Sequence, residues 1–187
     1  KLEKEGAEVI LPELTGFCKF ICTHKVTFNN LIGTSGTIAE IMKLAIKYIE
    51  HNEKYVVKAF NKSKKGYLMP INIFELEKNV NGILSIGNQT GEGWYLTAEM
   101  IEYIQHGIFN IACVQPFACL PNHIVGKGVI KTIRGMYPEA NIVPIDYDPG
   151  ASEANQTNRM KLLMAVAKDN LKKHQQNRKT EMGDRKS

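Results

Sequence analysis

Two cysteines and one run of glycines carry most of the chemistry this sequence could do. Cys113 closes an apolar run, and Cys119 follows in QPFACLPNHIVGKG (Gln115–Gly128), between Phe117 and Pro121, with His123 just beyond. A thiolate persists at neutral pH only beside a cation or a metal. Lys127 and the amino end of a following helix offer the former. Cysteines inside strands are usually inert buried thiols, and Cys113 reads that way. Cys119 sits in a loop and is open to a metal, cluster or redox role. His123 reads as an acid, base or ligand, or as a hydrogen-bonded structural histidine.

The glycine run is Gly87, Asn88, Gln89, Thr90, Gly91, Glu92 and Gly93, directly before Trp94 and a helical pattern. Such a loop can turn backbone N–H groups toward an anion, helped by the helix dipole. Its glycines lack the spacing of a dinucleotide fingerprint, and no Lys-Ser/Thr follows as in a phosphate-binding P-loop. The competing reading is a tight turn with local caps. A third loop, DYDPGASE, clusters Asp146, Asp148 and Glu153 around Pro149-Gly150. A hard cation would want more oxygens at closer spacing, so capping of the next helix explains it better. Asn155, Gln156, Asn158 and Arg159 then give that helix a polar start suited to recognition.

These loops need a scaffold to position them. Four short apolar runs bounded by turn residues read as buried parallel strands: Ala7–Leu11, Gly82–Ile86, Asn110–Val114 and Asn141–Ile145. Pro144 suggests an edge position for the last. Helical patterns alternate with them: Thr37–Ile49, about Asn52–Phe60, a short helix capped by Asn72 and Glu75, Thr97–Gln105 ending near Gly107, Gly128–Tyr137, and a last helix from about Ser152. Thr15–Ser35 reads as a long, aromatic, irregular connection. The expected fold is α/β, a doubly wound (Rossmann-like or flavodoxin-like) parallel sheet of about four strands with helices on both faces. Ligands then bind beyond the carboxyl ends of the strands, where all three loops lie.

The chain has 187 residues, 43% hydrophobic and 23% charged, the composition of a globular domain. We expect a single domain over 1–171 and a basic, disordered tail over 172–187. The formal charge of +5 is concentrated in Lys58–Lys65 and that tail. No basic stripe with aromatic residues accompanies it, so nucleic acid is not an expected partner. No apolar run reaches the roughly 20 residues of a bilayer span, and no export signal is visible. Four cysteines without an export signal favour reduced thiols and a cytoplasmic setting. The opening KLEKEG reads as the end of a helix with its glycine stop, the beginning of a domain inside a longer protein.

The runs GNQTGEGWYLTAEM, CVQPFACLPNHIVGKGVIKTI and YPEANIVPIDYDPGASEANQTNRMKLLMA resemble the C-terminal region of the large CoA-substrate-specific enzyme activases. That region is itself similar to 2-hydroxyacyl-CoA dehydratase subunits. The likeness is dense from Gly82 to Ala167 and looser before it. It implies doubly wound modules around a [4Fe–4S] cluster held by cysteines in strand-end loops, and ATP-driven electron transfer. Cys119 matches the cluster-bearing element and Asp146-Tyr147 a later pair, with Cys113 a weaker second ligand. The remaining ligands, and the ATP site, would lie in upstream activase and dehydratase-like domains of the same parent chain. The resemblance implies a cluster in the parent only, an inactive domain when isolated, and a CoA ester as a further partner. The alternative is a small-molecule (CoA-type anion) binding domain or a structural interaction module.

Overall fold

The computed structural model describes residues 1–34, 36–63, 68–148, 150 and 152–184, with side chains only to residue 173. It is a mixed α/β chain, mostly helical, in two compact units: residues 1–10 with 104–187, and residues 11–103.

The unit of residues 11–103 is helical. α1 (Leu14–Ile32) and α2 (Thr37–Ser63) form a hairpin, followed by α3 (Ile73–Lys78) and α4 (Gly93–Gln105), which runs just past the unit boundary. α1 corrects the expectation of an irregular Thr15–Ser35. Its Thr, Phe, Cys, Val and Asn residues are poor helix formers, but burial of one face outweighs weak propensity. Phe20 packs with Ile46, Ile73, Leu76, Val80, Trp94, Tyr95 and Ala98 in one core. Gly33 stops the helix at φ 66°, its N–H bonded to the Asn29 and Asn30 carbonyls. Ser35 lies outside the described residues. The two helical patterns Thr37–Ile49 and Asn52–Phe60 are one continuous helix, α2. Of the lysine-rich Lys58–Lys65, Lys64 and Lys65 lie outside the described residues. α3 starts as expected, with Asn72 Oδ1 accepting from the N–H groups of Phe74 and Glu75.

The other unit holds the sheet. β1 (Asn110–Pro116) and β2 (Asn141–Tyr147) pair in parallel, Asn110 opposite Asn141 through Pro116 opposite Tyr147. A π-helical segment (Asn122–Lys127) and α5 (Ile130–Met136) connect them, and α6 (Glu153–Asp184) follows β2. Val143 and Ile145 pack on Met160 and Leu163 of α6, with Ala112 and Leu2 beside them. Asn141 anchors the strand starts, its Nδ2 donating to Asn110 Oδ1 at 2.9 Å and to the Leu163 carbonyl at 3.0 Å. The backbone of 172–184, expected as a tail, is helical as the end of α6, while 185–187 lie outside the described residues. No helix among the described residues is long and apolar enough to cross a membrane.

Two of the four expected strands do not form, so the described sheet has two strands rather than four. Ala7–Leu11 has no ladder partner. Val9, Ile10 and Leu11 stay 38%, 47% and 77% exposed, and strand propensity without a neighbouring strand yields irregular chain. Gly82–Ile86 is taken up by turns after α3. Gly82 sits at φ 77°, and the Ile83 and Leu84 N–H groups both bond the Val80 carbonyl. Leu84 and Ile86 pack on the helical core instead of joining a sheet.

Candidate functional site

The carboxyl edge of the β1–β2 pair gathers the second and third loops. Pro116–Cys119 is a tight turn closed by the Cys119 N–H on the Pro116 carbonyl at 3.1 Å. Ala118 takes its left-handed position at φ 58°, unusual for a residue with a side chain. The Phe117 N–H bonds the Tyr147 carbonyl at 3.1 Å, which ties the turn to the end of β2. Cys119 and the Asp146-Tyr147 pair therefore share one edge.

Cys119 is half-buried, and its Sγ donates to Asn122 Oδ1 at 3.0 Å. Asn122 is held in turn by its Nδ2 on the Val114 carbonyl at 2.9 Å. The thiol thus points along a fixed hydrogen-bond line from the strand. The π-helical segment carries this geometry onward. The Gly128 N–H reaches back to the His123 carbonyl at 3.2 Å, and a Cβ on Gly128 would strike the Ile124 carbonyl. Single π turns often occur at functional positions. Lys127 lies 4.0 Å from Asp146, both half-exposed. Asp148 Oδ1 accepts from the Gly150 N–H at 2.8 Å, while Pro149 and Ala151 lie outside the described residues.

Cys113 is buried in β1. Its Sγ accepts from Gln115 Nε2 at 3.0 Å, which leaves Gln115 Oε1 buried without a partner. Burial pushes the Cys113 thiol above its ordinary pKa, against a smaller lowering by Gln115. All four cysteines are free thiols. Among the described residues no group of three His, Cys, Asp or Glu side chains could hold a metal ion. An iron–sulfur cluster takes three or four protein ligands. Among the described residues the edge does not supply such a set.

The glycine run belongs to the helical unit and is bonded inward. The N–H groups of Gly87, Asn88, Gln89, Gly93, Trp94 and Tyr95 all go to loop carbonyls or to Ser85 Oγ. Gly91 and Gly93 have φ of 62° and 46°, and a Cβ on Gly93 would collide with the Asn88 carbonyl. These glycines allow the chain to pass close to itself. Thr90 and Gly91 form the exposed tip, while Glu92 is half-buried. Trp94 is fully buried in the core.

Two arrangements were not anticipated from the sequence. In the helical unit Lys19 is fully buried, its Nζ on Glu53 Oε2 at 2.8 Å and the Ile71 carbonyl at 2.9 Å, with Glu13 at 3.8 Å. Nearby, burial raises Glu99 to about 7, with Glu13 adding and a Tyr95 hydrogen bond opposing. Glu13 itself is raised by burial. A lysine at position 19, in register with Gly16, Phe20 and Thr23, becomes a signal once α1 is read as a helix. The second arrangement is an open groove of about 480 Å³ beside β2, lined by Ile142, Pro144 and Leu162 together with Lys127, Lys131, Arg134 and Arg159. Arg134 Nη2 also donates to the Ile142 carbonyl at 2.6 Å.

No known protein family matches the chain, and no curated protein or solved structure matches it.

Proposed function

We propose that this chain is the dehydratase-like C-terminal domain of a CoA-substrate-specific enzyme activase. In that role it contributes Cys119 to an iron–sulfur cluster completed by upstream domains of the parent protein. The observation that carries this reading is the position of Cys119, a thiol on a fixed turn at the carboxyl edge of a parallel strand pair, beside Asp146-Tyr147. This edge is where α/β sheets place their chemistry. As a ligand the thiol would give up the proton it now donates to Asn122. The isolated chain then has neither ATPase nor dehydratase activity. Iron and acid-labile sulfide, measured in the intact protein purified without oxygen, test the reading. Absence of both would refute it.

A second reading is favoured by the basic groove. Four cationic side chains beside apolar ones suit an organic anion of the CoA type better than the inward-bonded glycine run does. A thermal-shift series with CoA and acyl-CoA checks it. Ligand at a hundred times its Kd adds about 2.7 kcal/mol of stability. Lys131→Glu should abolish the shift, and a shift that survives would place the ligand elsewhere.

A further inference from the structure

α2 and the chain leading into α3 border an open groove of about 520 Å³, a volume within the range of small-ligand sites. Glu50, Glu53, Lys54 and Lys58 line it from one stripe of α2, since positions three and four apart share a helix face. Val57, Pro70 and Ile71 add apolar surface. The acids come first along the helix and the lysines after them, so the groove is sorted by charge. At 1.5 Å per residue, the midpoint of the acids lies about 7 Å along the axis from that of the lysines.

Neither end of the groove is fully satisfied. Glu53 is 8% exposed, and its Oε2 accepts from Lys19 Nζ at 2.8 Å. Its Oε1 is buried with no hydrogen-bond partner among the described residues. A buried carboxylate oxygen without a donor is costly, so a donor supplied through the groove is bound favourably. Glu50 Oε1 accepts from Asn72 Nδ2 at 2.7 Å, a neutral donor that leaves the carboxylate charge uncompensated. Lys54 and Lys58, one turn apart and exposed, have no carboxylate partner among the described residues. The acidic end therefore suits an ammonium group and the basic end a carboxylate. A ligand that carries both is a zwitterion. At roughly 3.5 Å per residue, the ends of an extended dipeptide are about 7 Å apart, a distance that a free amino acid does not span.

We propose that this groove binds a zwitterionic peptide of dipeptide length. Its ammonium group lies toward Glu50 and Glu53, its carboxylate toward Lys54 and Lys58, and an apolar side chain rests against Val57, Pro70 and Ile71. The site belongs to the helical unit and does not depend on the reading of Cys119. Isothermal titration of the 187-residue chain with leucyl-leucine should show one site. N-acetylation and C-amidation of the peptide should each weaken binding by about tenfold or more, and free leucine should bind about tenfold more weakly. Glu50→Gln, which keeps an acceptor for Asn72, and Lys58→Glu should each weaken binding by about tenfold with an unchanged helical circular-dichroism spectrum. No binding at millimolar peptide would overturn the proposal. So would equal binding of the blocked peptides, or wild-type affinity in both variants. Free leucine binding as tightly as the dipeptide would refute the dipeptide length.

Discussion

Cys113 and Cys119 are six positions apart in sequence but differ in burial and in hydrogen-bond role. Cys113 is 5% exposed and accepts a hydrogen bond inside the sheet. Cys119 sits on a turn and donates one at the edge. Cys113→Ser should therefore cost about 1–3 kcal/mol in urea denaturation, the usual range for perturbing a packed interior. Cys119→Ser should shift stability by no more than about 0.5 kcal/mol. Equal costs would contradict this division of roles. Glu99 gives a second test. Its folded pKa of about 7 lies above the ordinary 4.5, with burial the main cause. Between those values the unfolded chain ionises while the folded chain keeps the proton. The Glu99 contribution to the stability of the helical unit is thus fully present at low pH, falls as pH rises toward about 7, and levels off above it. The fall is of order 3 kcal/mol, from about 1.4 kcal/mol per unit. Glu99→Gln should flatten the profile between pH 4.5 and 7, read by urea midpoints. A wild-type profile that rises with pH over that interval would refute the assignment.

At the scale of elements, α1 is held to α2 by a buried ion pair as well as by Phe20. Lys19→Met leaves the Glu53 carboxylate buried and unpaired, a loss of about 3–5 kcal/mol. Lys19→Met combined with Glu53→Leu should recover most of it, because the desolvated charge is removed with its partner. A double variant no more stable than Lys19→Met would mean that the cost comes from packing. Gly93→Ala should cost about 1–3 kcal/mol or more, since a side chain there meets both a left-handed φ and the Asn88 carbonyl. α3, α4, α5, both strands, the beginning of α6 and the two halves of α2 were legible, because apolar spacing, caps such as Asn72 and stops such as Gly107 act locally, whereas the continuity of α2 and the helical run of α6 past residue 171 were not. α1 was not: its residues favour extended chain one by one, and only the core they share with α3 and α4 makes them helical. Ala7–Leu11 and Gly82–Ile86 erred the other way. Their apolar runs suit a strand, but a strand also needs a neighbour, and neighbours are not written in a five-residue window.

For the molecule as a whole, the glycine run and the cysteine edge belong to different compact units. The meeting of the Cys119 loop with Asp146-Tyr147 was legible, because two parallel strands with a short crossover bring their carboxyl ends together. The buried Lys19–Glu53 pair and the basic groove were not, because each joins residues from separate elements whose packing no local pattern encodes. The central claim is that Cys119 serves an iron–sulfur cluster in the parent protein. The most direct measurement is the low-temperature EPR signal and iron content of that protein after reduction, wild type against Cys119→Ser. The account predicts a cluster signal in the wild type that is lost or altered in Cys119→Ser, with Cys113→Ser retaining it. A full, spectroscopically unchanged cluster in Cys119→Ser, or a wild type without iron, would contradict it.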